Sequence, residues 1–301
     1  MSALTAMVRN VTDPLPTAWT LMGAALTDLA YIAENDLKVN GGMYLHGSPA
    51  QVESEHELLA GGWGDRPTHQ SYAQAILLAT AAADHLFSAG TLLRADVHPV
   101  YGLPALARCS MEAAGRAWCL LDPAIDPQER VRRYMNFRLE SLHEQRLMGE
   151  GMGVDVDVTD LIAKAQAILD EAAARGLVTK PAESIRPAYI GRPLMSRMRL
   201  ADHALGDIDH VPVTVYRQLT AVVHATDYGL ADLIEPLPDS TGVNRFGRIS
   251  FTEEQCAMWF CIPVFTYIVA VRRLHERFSW DAKDWDEAAD FAIKVFTTIK
   301  G

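Results

Sequence analysis

The run CAMWFCIPVFTYIVAV, from Cys256 to Val271, carries no charge and leaves the chain few ways to fold. A helix that is apolar on every side must be wrapped by protein or by lipid. The run is shorter than the roughly 18 to 20 residues a spanning helix needs, and it contains Pro263 and Thr266. It therefore reads as a central buried helix over 253–278, bent near Pro263, opened by TEEQ at 252–255 and followed by RRLHER. Such a helix needs a shell of amphipathic partners. Helical periodicity supplies them at 17–35, 71–94, 104–121, 127–149, 158–175, 193–205, 213–234 and 282–299, and no alternating strand pattern persists. In DPQE, Asp126 caps a helix, Pro127 takes its first position and Glu129 is the capping-box acid.

The fold class is all-α: a single helical-bundle domain over 71–301, with residues 1–70 an appendage of one N-terminal helix and a Gly-rich loop. Two irregular stretches stand out, 36–70 with GGMYLHGSP and GGWGDRPTH, and 176–211 with IRPAYIGRPLMSRMR. Loops of that length are usually functional or mobile. A chain of 301 residues with 49% hydrophobic content is long enough to bury a full core.

A net charge of −11 argues against coating nucleic acid through bulk electrostatics, so any polyanion must be met locally. The arginines of ERVRRYMNFR (Arg130, Arg132, Arg133 and Arg138) are the local candidates, unless they form a solvated face paired with Glu129 and Glu140. The four cysteines form no Cys-x-x-Cys pair and read as buried thiols of a reducing compartment. The N-terminus shows no basic and then apolar export signal, so a cytoplasmic protein without a membrane role is expected. No phosphate loop, dinucleotide fingerprint or nucleophile elbow is present, and GVNRFGRIS reads as a turn-rich connector.

The segment VYRQLTAVVHATDYGL, 215–230, carries the candidate site. On a helical wheel Thr220, Ala221, His224 and Tyr228 fall within about 60° of Arg217, with Val215, Leu219, Val222 and Val223 opposite. A guanidinium, an imidazole and a phenol thus share one face, with Asp227 at its edge. A second helix sets Ala107, Met111, Ala114, Trp118 and Leu121 on one face and an Arg108, Glu112, Arg116 ladder on another. That ladder is either a structural ion network or, if it faces Arg217 and His224, a source of positive charge and an orienting carboxylate.

YRQLTAVVHATDYGL, with the upstream ARCSMEAAGRAWCLLDP and ERVRRYMNFRLESLHEQ, is similar to a group of actinobacterial helical proteins. More distantly, it resembles the HEPN superfamily over about residues 70–280. HEPN proteins carry an arginine, four to six residues and then a histidine on one helix; Arg217 and His224 match with six between. The residue after the arginine, often Asn, Asp or His there, is Gln218 here. The resemblance implies metal-independent endoribonuclease chemistry, or RNA or nucleotide binding, in a defence or stress system. His224 would move a proton and Arg217 would hold the phosphate oxygens, in a homodimer and without a cofactor.

Two alternatives stay open. One is a non-catalytic ligand-sensing or interaction module, with MWFCIPVFTY lining a pocket or partner surface. The other is a ferritin-like or haem-oxygenase-like metal oxygenase, for which Glu140–His143, Glu53–His56, Glu112 and His224–Asp227 are the available ligands, although two matching Glu-x-x-His helices cannot be assembled.

Overall fold

The computed structural model describes residues 17–41, 43–59, 63, 66–95, 98–152, 158–183, 186–206, 208, 210–231, 233–236 and 247–299. The N-terminal 16 residues and the 242–246 part of the expected connector lie outside the described residues. The chain is all-α. Its helices are α1 (Ala18–Val39), α2 (Pro49–Leu59), α3 (Pro67–Leu93), α4 (Gly102–Leu121), α5 (Pro127–Met152), α6 (Val158–Ala174), α7 (Arg197–Ala204), α8 (Val211–Val223), α9 (Asp227–Leu230), α10 (Glu253–Phe278) and α11 (Lys283–Thr298). Two antiparallel pairs of very short strands, 179–180 with 189–190 and 234–236 with 247–249, tie off loops.

The apolar run does become the central helix. Trp259, Phe260, Val264, Tyr267, Ala270 and Leu274 of α10 are at most 2% exposed, and α10 packs against α1, α2, α3, α4, α7, α8 and α11. Its start is the expected capping box: Thr252 Oγ1 accepts from Gln255 N, and Gln255 Oε1 accepts from Thr252 N. By length and apolarity both α3 and α10 are able to cross a membrane; the most apolar window of α10 is 67% buried in protein and that of α3 39%.

The N-terminal helix is not an appendage. Met22, Ala25, Leu26 and Leu29 of α1 are fully buried, in the same core as α3, α10 and α11. Glycines set its distance from α3, since a Cβ on Gly90 would lie 2.7 Å from the Gly23 carbonyl oxygen. Nor is 36–70 irregular throughout, because α2 occupies its middle. Glu57 of α2 accepts from Thr68 N at 2.9 Å, serving the start of α3 where Arg66 offers no side-chain cap. Of the free cysteines, Cys119 and Cys256 are buried as expected, Cys261 is half-buried and Cys109 is exposed.

Candidate functional site

The helix expected over 213–234 ends at Val223. His224 is its C-cap residue, Ala225 turns left-handed at φ 51°, and the amides of Ala225 and Thr226 return to the carbonyls of Val222 and Ala221. This is a Schellman closure with alanine in the position glycine usually takes. Thr226 then accepts from Gly229 N at 3.2 Å and caps the separate turn α9, which holds Asp227 and Tyr228. A Cβ on Gly229 would overlap the Ala221 carbonyl group, so glycine is what lets α9 fold back on α8.

The three-turn line of side chains is thereby cut. Arg217 and His224 keep the same side of α8, both exposed, while Asp227 and Tyr228 are exposed on another element. Among the described residues, neither the Arg217 nor the His224 side chain has a hydrogen-bond or ion-pair partner. Val215, Leu219 and Val222 face the core as expected.

The ladder on α4 turns to Tyr216 rather than to Arg217. Arg108 Nε donates to Glu112 Oε1 at 2.9 Å, Tyr216 Oη donates to the same oxygen at 2.8 Å, and Arg108 lies over the Tyr216 ring. Burial first, and then the bond to Glu112, raise the Tyr216 phenol above its ordinary range. Arg116 leaves the ladder for Glu140 of α5 at 2.6 Å, and Arg197 of α7 reaches both Glu112 and Glu140. Arg108, Glu112 and Arg116 therefore belong to an ion network that joins α4, α5, α7 and α8. Of the two readings of this ladder, the ion network is the one that forms, and its face does not turn to Arg217 and His224.

The arginines of α5 are also differently placed. Arg130, Arg132 and Arg133 are at most 8% exposed. Arg133 pairs with Asp122 at 3.0 Å and with Glu129, Arg132 donates to the carbonyls of Ile190 and Arg192, and Arg130 is held by Glu53. Only Arg138 is left exposed, so this helix offers no basic face to a polyanion. The carboxylates considered as metal ligands are likewise engaged, Glu53, Glu112 and Glu140 by arginines. Among the described residues, no three His, Cys, Asp or Glu side chains come together as a metal site.

A cavity of about 360 Å³ opens between α1, α3 and α10. Ala30 and Ala33 of α1 meet Ala79 and Ala83 of α3, and these short side chains leave the space unfilled. Tyr267, Val271, Leu274 and His275 of α10 form the floor with Trp280, while Glu34, Thr80, Asp84 and Phe87 are the exposed lining residues at the rim. Tyr267 is fully buried and its hydroxyl has no hydrogen-bond partner. Burial first, and then the Asp36 carboxylate nearby, hold that phenol protonated far above its ordinary range.

His275 Nδ1 faces the Asp281 carbonyl at 3.0 Å. Its Nε2 lies 3.2 Å from Asp36 Oδ2, which is ion-pair distance, although the two atoms are not aligned as a hydrogen bond. Of the stretch MWFCIPVFTY, Tyr267 reaches this cavity and most of the remainder is core. The cavity's mark in the sequence is the alanines at 30 and 33 and at 79 and 83, which recur at helical spacing on two neighbouring helices. No protein family, curated protein or solved structure matches the chain.

Proposed function

We propose that this protein is a ligand-sensing module that binds a small molecule in the cavity between α1, α3 and α10. One observation carries the reading: a cavity of about 360 Å³ whose lining includes Tyr267, a fully buried residue with an unpartnered hydroxyl. That volume is within the range of about 300–1,000 Å³ typical of small-molecule sites. Apolar walls with a few convergent polar groups are the usual composition of such sites. Among the described residues eleven buried side-chain polar atoms lack a hydrogen-bond partner, and three of them, Asp36 Oδ2, Tyr267 Oη and His275 Nε2, belong to residues that line this one cavity. Titration calorimetry with 2-phenylethanol tests the reading. Binding to the wild type is expected, weakened at least tenfold in Ala33→Leu and in Ala83→Leu, whose melting temperatures stay equal or rise because the added methylenes fill space rather than crowd it. Absence of binding by 2-phenylethanol and by its charged analogues phenethylamine and phenylacetate, or equal binding by the filled variants, overturns it.

A second reading, an endoribonuclease or RNA-binding surface, is supported by the exposure of Arg217 and His224 on one side of α8 with no competing partner. A homodimer would bring two such pairs together. Under this reading Arg217→Ala and His224→Ala each cut metal-independent RNA cleavage by about 10² or more, and cleavage persists in chelator. Folded mutants with wild-type cleavage, or a wild type that cuts no RNA, remove it.

A further inference from the structure

We infer that the ligand taken by the cavity between α1, α3 and α10 is a small organic cation: an amine on a compact apolar or aromatic body. The inference rests on the ligand-sensing reading and adds the chemical class. Three carboxylates line the cavity, from Glu34, Asp36 and Asp84, and none of its lining residues is Lys or Arg. Two of the three have a local partner. Asp36 faces His275, and Glu34 is bridged at 2.7 Å to Lys38 one turn along, with both of those side chains more than half exposed. The Asp84 carboxylate has no hydrogen-bond or ion-pair partner among the described residues and stands at the rim, so negative charge is left over at the entrance.

Low-dielectric walls lined by one sign of charge concentrate the field on whatever enters. The rest of the wall is apolar and aromatic. Phe87 at the rim is 47% exposed, and Trp280 and Tyr267 complete a set of three rings. Aromatic faces attract cations and also take apolar bodies, whereas they offer nothing to a carboxylate or phosphate. Tyr267 lines the floor with its hydroxyl buried and unpartnered. A neutral apolar guest would leave the rim carboxylates unused, and an anion would be repelled by them.

Three probes of matched shape separate the possibilities: phenethylamine, 2-phenylethanol and phenylacetate, each titrated into the intact protein by calorimetry at low and high salt. Phenethylamine is expected to bind at least tenfold more tightly than 2-phenylethanol, with phenylacetate weakest and the amine's advantage shrinking as salt rises. Asp84→Asn combined with Glu34→Gln, both at exposed positions that leave the core intact, should reduce that advantage to about twofold or less without weakening 2-phenylethanol. If 2-phenylethanol or phenylacetate binds as tightly as the amine, the cation proposal is overturned while the cavity remains a ligand site. If none of the three binds, both fall. If the amine's advantage survives the double substitution or is insensitive to salt, the rim carboxylates do not select charge and the proposal is again overturned.

Discussion

At Glu129 three guanidinium groups, from Arg132, Arg133 and Arg192, converge on one carboxylate. Burial by itself pushes this carboxyl up, but the hydrogen bonds from Arg132 and Arg133, the charge of Arg132 and the bond from Arg192 outweigh it and hold the pKa at about 2. A group whose pKa is lowered by folding contributes stability above its unfolded value, and loses that contribution as pH falls through the folded one. Glu129→Gln should therefore be less stable than wild type by a constant amount above about pH 5, with the gap closing between about pH 4.5 and 2. Urea denaturation of both proteins across that range checks it, and a gap independent of pH would show that the carboxylate's charge is not what matters. The same residues show what a sequence conceals at this scale. Four arginines within ERVRRYMNFR read as a basic face because charge is legible and burial is not. Asp122, Glu129 and Glu53 neutralise three of them inside the fold.

At the scale of elements, the end of α8 decides what Arg217 and His224 can share. Periodicity continues past the break and predicts this helix through to residue 234. The competing signal was local: Thr226 and Asp227 are a helix start, and Gly229 permits the close fold-back. No glycine marks the end of α8, since Ala225 occupies the left-handed position. An L-residue there costs about 1–2 kcal/mol, against about 0.4–1 kcal/mol that a glycine adds to the unfolded chain's entropy. Ala225→Gly should thus stabilise the protein by about 0.5–1 kcal/mol, read as a raised denaturation midpoint with an unchanged slope. A lowered midpoint would mean that the turn is not under strain. The start of α10 was legible for the opposite reason: in TEEQ the cap chemistry and the apolar run agree, and both sides of the capping box form.

Across the whole molecule, the element missed from the sequence is held by charge rather than by an apolar stripe. PAQVESEHELL has little helical hydrophobic pattern, and its anchor Glu53 finds partners that lie far away along the chain. Tyr72 Oη and Arg130 Nε donate to Glu53 Oε2 at 2.7 and 3.2 Å, and Arg277 donates to Oε1 at 2.8 Å. One carboxylate thereby joins α2 to α3, α5 and α10. Arg130 is fully buried, stacked 5.1 Å from the Tyr72 ring centre, and its remaining hydrogen bond goes to the Leu120 carbonyl. A guanidinium in that position depends on its counter-charge, because leaving one partner of a buried pair alone costs about 3–5 kcal/mol. Exposed pairs are worth far less, about 0–1 kcal/mol. Lys164 and Asp160 form such a pair, with side chains 58% and 48% exposed. Glu53→Ala should therefore lower stability by about 3–5 kcal/mol, while Lys164→Ala changes it by less than about 0.5 kcal/mol. Chemical denaturation of the two variants side by side measures the contrast. Equal and small losses would show that α2 is docked by packing alone, and that Arg130 does not need Glu53 to stay inside the fold.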